Sequence, residues 1–156
     1  MTSVDPQRAL PDRRRVPRGG RRPTDRPGKC PPVVVAESYD GVRKSCAKYL
    51  DRFHFQIAEA TDGEQALAQI TADPPQVILA ELNLPSMPAW RLALWLSQNW
   101  RTRQIPVIVL ADMDSPGTSE SRGLPSGVAA VLVKPFTLKR MLDEVRRAIR
   151  VSAARH

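Results

Sequence analysis

Aromatic residues make up only 5% of this 156-residue sequence, so a core must be built from aliphatic side chains, and the 42% hydrophobic fraction can supply one. Cysteine is nearly absent. Cys30 and Cys46 are too few for a disulfide framework or a cysteine-based metal centre, and a reduced, cytoplasmic chain is the simplest expectation. No apolar run approaches the roughly 18 residues of a membrane helix, so no membrane span is expected. Residues 1–30 lack the apolar stretch of a secretory signal. Their arginines are those of a transit peptide, but the segment is poor in serine and is broken by proline and by Asp5, Asp12 and Asp25. The chain has no Gly-rich phosphate loop, no Ser–His–Asp set and no metal-ligand spacing. Neither an enzyme nor a bound cofactor is expected.

Positive charge is plentiful but uneven. The formal net charge is +8, and residues 1–30 hold nine of the 24 Lys/Arg against three of the 16 acids. Pro6, Pro11, Pro17, Pro23 and Pro27 interrupt this segment, and Val4, Leu10 and Val16 cannot cover a core. It is expected to stay disordered, because burial cannot repay its ordering entropy. Such a tail can attract nucleic acid, anionic lipid or an acidic partner, although it has no interleaved aromatics for base stacking. The expected organisation is a tail over 1–30, one domain over 31–151 and a short tail over 152–156.

Within the domain, short apolar runs alternate with helical patterns. Val33–Ala36, Phe55–Ala58, Gln76–Ala80, Pro106–Leu110 and Ala129–Val133 read as strands, the first as one buried on both faces. Val42, Cys46, Tyr49, Leu50 and Phe53 fall on one face of a helix. Asp62 with Gln65 three residues on reads as a helix start ahead of Ala66, Leu67 and Ile70. Pro88 opens a helix carrying Trp90, Ala93, Leu94, Leu96 and Trp100. A last helix from Thr137 carries Leu138, Met141, Leu142, Val145 and Ile149. The stretch 112–127 holds two prolines and three glycines, which predicts a short or irregular fourth helix and a mobile loop. Strand–helix alternation demands a parallel sheet covered on both faces, and five strands fit the flavodoxin-like doubly wound order 2-1-3-4-5. Ligands on such sheets sit at the carboxyl ends of the strands.

Those ends carry a resemblance. Val33-Val34-Val35-Ala36-Glu37-Ser38, the stretch Ala58–Leu67, Pro75–Met87 with Glu81 and Asn83, Ile105–Leu110 and Val131-Leu132-Val133-Lys134-Pro135-Phe136 together resemble the receiver domain of two-component response regulators. The match covers about Pro32 to Arg150. The resemblance implies an acid pair after the first strand for Mg²⁺, an Asp after the third that accepts phosphate, a Ser or Thr after the fourth, and a Lys after the fifth. Here the acid pair maps to Glu37 and Ser38, the acceptor to Glu81, the hydroxyl to Ala111 and the aromatic of the switch to Val131. Only Lys134 is kept, and the resemblance implies a cis bond from it to Pro135. Mg²⁺ binding, which would fall to Glu37 and Glu81, is not expected.

Two meanings of Glu81 follow. Paired with Lys134, it could imitate a phosphorylated aspartate; or the same pair could be a polar cluster left in a decayed site. Without the hydroxyl and aromatic relay, an added charge biases no second state, which favours a fixed binding surface. The expectation is a stand-alone atypical receiver that binds a protein partner (a sensor kinase, another regulator or its own copy) without aspartyl phosphorylation. The alternative is a regulator that holds nucleic acid through the basic tail. On the Pro88 helix, Trp90 and Leu96 are expected to face the core, while Leu94 and Trp95 are a candidate interaction surface or simply more deeply buried. Cys46 is expected as a buried thiol, and His54 is given no role.

Overall fold

Alternate residues of the first strand serve two different cores. In the computed structural model, which describes residues 32–113 and 127–154, β1 (Pro32–Ala36) is buried along its whole length. Val33 and Val35 face one apolar cluster, and Val34 and Ala36 face another. That is the pattern of a strand covered on both sides. β2 (Gln56–Ala60), β3 (Val77–Glu81), β4 (Val107–Asp112) and β5 (Val128–Lys134) complete one parallel sheet in the order β2-β1-β3-β4-β5. This is the expected flavodoxin-like, doubly wound α/β arrangement.

Parallel neighbours need crossovers, and helices supply those between β1 and β2, β2 and β3, and β3 and β4. Cys46 and Leu50 of α1 (Asp40–Arg52) and Met141, Leu142 and Val145 of α4 (Leu138–Ala154) pack on Val33, Val35, Leu79 and Leu110. Ala66 and Ile70 of α2 (Gly63–Ala72) and Leu92, Ala93 and Leu96 of α3 (Ala89–Ser97) pack on Val34, Ile78, Ala80 and Val109. No described helix is long and apolar enough to cross a membrane.

β1 ends where its apolar run does, whereas β2, β3, β4 and β5 end one or two residues beyond theirs. Glu81 is therefore the last residue of β3 and Lys134 the last of β5. Hydropathy marks where a strand is buried, but pairing carries it on into polar residues: Glu81 is in register with Leu110, and Lys134 with Asp112. Asp62 caps α2 by accepting the Gln65 N–H at 2.7 Å, and the Gln65 side chain reaches back to the Thr61 N–H at 2.7 Å. α4 runs past the expected domain end at 151. The proposed tail over 1–30 and the irregular fourth helix both lie outside the described residues.

α3 corrects the expectation for Trp90. Its buried positions are Ala89, Leu92, Ala93 and Leu96, a face with spacings of three and four. Trp90 lies off this face and is 50% exposed, whereas Leu96 is buried as expected. Trp95 is half-buried against the second core, and Leu94 is 44% exposed. The exposed pair on α3 is thus Trp90 and Leu94, one turn apart. Trp100 lies beyond the helix end.

Candidate functional site

Doubly wound sheets place their chemistry where several strands end together. Ala36 is in register with Ala80, so Glu37 and Glu81, the next residues, come to neighbouring positions at the carboxyl ends of β1 and β3. Ala111 and Asp112 end β4 beside Val133 and Lys134 of β5. The structure thus brings Glu37, Ser38, Glu81, Ala111 and Lys134 to one edge of the sheet.

Their pairing differs from the expected one. Glu37 is fully buried. Its Oε1 lies 3.0 Å from the Lys134 ammonium, and its Oε2 accepts the Tyr39 N–H at 3.1 Å. Burial pushes the Glu37 carboxyl above its ordinary range; Lys134 and the Tyr39 amide pull it back, and the nearby Glu81 charge pushes it up again. Glu81 instead accepts two bonds from Ser38 at one oxygen: the backbone N–H at 2.9 Å and the hydroxyl at 2.7 Å reach Oε1. Among the described residues no ion pair joins Glu81 to Lys134. The physical reason is demand. A buried carboxylate at Glu37 needs a counter-charge more than a half-exposed Glu81 does, and Ser38 offers Glu81 two donors within reach.

The remaining predicted positions are spread around this pair. Ala111 is buried and has no hydroxyl to offer. Val131 sits half-buried against the second core, with no aromatic ring to swing. Asn83 is exposed in the turn after β3. That turn is fastened to the start of α2: the Gly63 N–H donates to the Pro85 carbonyl at 2.8 Å, and the Glu64 N–H to the Ser86 hydroxyl at 3.1 Å. Gly63 has no room for a side chain, since a Cβ there would collide with the Met87 backbone oxygen. The Lys134–Pro135 bond is cis, as the resemblance implied.

Three contributors were not foreseen. Arg43 is buried on α1 and reaches three acceptors: Asp40 at 2.7 Å, Glu59 at 3.0 Å and the Glu37 carbonyl at 3.0 Å. Glu59 anchors this clamp from β2. Asp112 lies 4.0 Å from Lys134 with an exposed side chain. Arg43 carried a readable signal, because it falls on the stripe that Cys46, Ala47 and Leu50 continue. Cys46 is the expected buried thiol, pushed up to about 11 chiefly by burial and then by the Glu37 charge.

Removing the Ser38 hydroxyl tests the Glu81 contact. Ser38→Ala keeps the backbone donor and should cost about 1 kcal/mol in chemical denaturation. A loss below about 0.3 kcal/mol would mean that water replaces the hydroxyl at no cost.

Comparison with known proteins gives the same picture. The model of the response regulator receiver domain family matches residues 33–146. The chain is similar to the response regulator PleD of Caulobacter vibrioides, 31% identical over 118 residues, or 76% of this chain and 26% of that protein. It is also similar to the transcriptional regulatory protein SrrA of Staphylococcus aureus, at 28% identity over 76% of this chain and 47% of the relative. The chain therefore spans about a quarter to a half of the length of these curated relatives. Among solved structures, the chemotaxis response regulator CheY4 of Vibrio cholerae superposes with a TM-score of 0.68 at 21% identity, covering 76% of this chain and 98% of that one. A receiver domain from Francisella gives 0.67 at 25% identity, with coverage of 78% and 98%.

Proposed function

We propose that this chain, which belongs to the response regulator receiver domain family, acts in signal transduction by binding a protein partner without being phosphorylated. The observation that carries the reading is the exchange of partners at the strand ends. Lys134, the group that would meet phosphoryl oxygens, is engaged by Glu37, and the acceptor-position carboxylate of Glu81 is engaged by Ser38. Phosphoryl transfer depends on positioned cations and donors around the transferring group. Here the cation already neutralises a buried acid, and Ala111 supplies no hydroxyl.

Receiver domains in general bind Mg²⁺ at their phosphorylation site. The residues present here do not fit that ion. Mg²⁺ takes oxygen ligands in near-octahedral geometry and favours carboxylates. Glu37 spends its charge on Lys134, Glu81 Oε1 is occupied by two donors, and Ser38 points a hydroxyl proton at Glu81 where a second carboxylate would serve the metal. Among the described residues no cluster of three or more acidic, His or Cys side chains is placed to hold a metal.

Incubation of the full chain with acetyl phosphate or beryllofluoride and Mg²⁺ tests the reading. The expected result is an unchanged intact mass and no Mg²⁺-dependent shift in the amide spectrum of Ser38, Glu81 or Lys134. Stoichiometric phosphoryl addition, or beryllofluoride binding that requires Glu81, overturns it.

A further inference from the structure

α1 lies over β1 and β2, at the end of the sheet away from β5. Arg43, Cys46, Ala47 and Leu50 form its buried face. The outward face carries Lys44, Lys48 and Arg52, all exposed. They recur every four residues, so they follow the helix as one ridge in steps of about 6 Å. Among the described residues, the ion pairs made by α1 cations are those of Arg43, to Asp40 and Glu59.

The upper end of the ridge is held by stacking. Arg52 lies over the Tyr49 ring at 5.7 Å, and Arg146 of α4 lies over the Phe53 ring at 5.3 Å. The two rings meet at 5.1 Å with a tilt of 51°, and both pack half-buried against the core. Two guanidiniums thus rest on a fixed aromatic support. A guanidinium stacked by its face keeps its N–H edge free, and that edge receives a phosphate through two parallel bonds. The acids nearby offset little of this charge. Asp40 is held by Arg43 at 2.7 Å, and Asp143 by Lys139 at 3.1 Å. Asp51 stands two positions from Tyr49 and so projects from the opposite flank of α1.

We propose that the α1 ridge, together with Arg146, is a sequence-independent contact for the phosphate backbone of duplex DNA. Evenly spaced cations with free N–H edges suit phosphates and read no bases. A single strand fits less well. Tyr49 and Phe53 are half-buried and already carry guanidiniums, which leaves no ring on which a base can stack. An acidic protein segment would find no anchor, because the exposed residues between Lys44 and Arg52 are Ser45, Lys48 and Asp51, none of them apolar. The same lack of an exposed apolar face disfavours insertion into an anionic membrane. This contact is separate from the protein-binding reading of the strand ends, and neither depends on the other.

Salt titration of DNA binding by the full chain tests it, with a labelled duplex of about 20 base pairs followed by fluorescence anisotropy. Residues 1–30 hold nine Lys/Arg and attract any polyanion, so every variant keeps that segment. Lys44→Gln/Lys48→Gln/Arg52→Gln should weaken binding by about tenfold or more at ~0.1 M salt. It should also lower the slope of log affinity against log salt by roughly two to three, since each lost phosphate contact is worth about 0.9. Arg146→Gln alone should lower the slope by about one. Arg91→Gln/Arg101→Gln/Arg103→Gln removes as many charges from exposed positions elsewhere and should change the slope by less than about 0.5. Duplex added to the wild type should move the amide resonances of Lys44–Phe53. The substituted residues are all exposed, and thermal unfolding of each variant checks that the fold is kept. An unchanged slope in the α1 variant, an equal fall in the Arg91/Arg101/Arg103 variant, or unmoved α1 amides overturns the proposal. So does tighter binding at α1 of a single strand of the same length, of poly-glutamate or of phosphatidylglycerol vesicles.

Discussion

Replacing Lys134 by Met is expected to destabilise the domain by about 3 kcal/mol at neutral pH, read from urea denaturation. Among the described residues Lys134 gives the fully buried Glu37 its one ion pair, at 3.0 Å, and the variant strands that carboxylate. Asp112, 4.0 Å from the ammonium and exposed, adds little of its own. The size of the loss comes from leaving a charge buried, more than from the net worth of the pair. Glu37 already holds its proton more tightly than a free carboxyl, chiefly because of burial, in spite of Lys134. The pair therefore does not fully offset desolvation, and removing both charges should be far milder than removing one. Glu37→Gln/Lys134→Met should recover at least half of the loss.

The pH dependence has a definite sign. A carboxyl whose folded pKa is raised binds its proton more tightly in the folded state, so its contribution falls as pH rises from the ordinary 4.5 through the raised value. In the wild type this decline is limited by Lys134 and the Tyr39 amide. In Lys134→Met the first of these is gone, the Glu37 carboxyl rises further, and the decline steepens and extends to higher pH. The variant should therefore come closest to the wild type under mildly acidic conditions. A stability gap of the same size at pH 4.5 and pH 7 would show that Glu37 is not the group left stranded.

The sheet was legible because burial on two faces writes itself into composition. Val33-Val34-Val35-Ala36 admits few readings, and the alternation of such runs with helical stripes leaves few topologies. The positions of the site were legible for the same reason, since strand ends in this topology are where ligands gather. The partners within the site were not. Whether Lys134 turns to Glu37 or to Glu81 depends on which carboxylate is cut off from water, and depth of burial is a property of the packed molecule. Hydropathy gave Glu37 and Glu81 the same weight, although Glu37 is sealed and Glu81 is half-open. Trp90 shows a similar limit. It is expected on the core side, but Ala89, Leu92, Ala93 and Leu96 already fill that face, and the small alanines there set the phase of the helix. A charged residue on an apolar stripe reads as a gap, whereas the Arg43 guanidinium is buried among two acceptors close by in the chain, Asp40 and the Glu37 carbonyl, and a third on β2, Glu59.

Arg43→Met is accordingly expected to cost about 2 kcal/mol and to loosen the site it never enters. Methionine keeps most of the buried volume, so the loss isolates the polar contacts. Two of the three partners can return to water, since the side chains of Asp40 and Glu59 are 74% and 41% exposed. The cost then falls mainly on the Glu37 carbonyl, which loses its 3.0 Å donor in a buried setting. That carbonyl belongs to the peptide leading into Ser38, whose N–H and hydroxyl hold Glu81. The amide of Ser38 should exchange faster with solvent, and its resonance should move, while amides of the β4–β5 ladder stay protected. Lysine should rescue little, because one ammonium cannot span acceptors on α1, on β2 and after β1 as a planar guanidinium does. The Arg43 charge is secured chiefly by its hydrogen bond to Asp40, which raises its pKa above the ordinary guanidinium value. The variant's loss should therefore lack the rise with pH expected of Lys134→Met, so pH profiles of the two variants separate a lost clamp from a stranded charge. A stability loss under about 0.5 kcal/mol, or an unmoved Ser38 amide, would show that the clamp does not position the site.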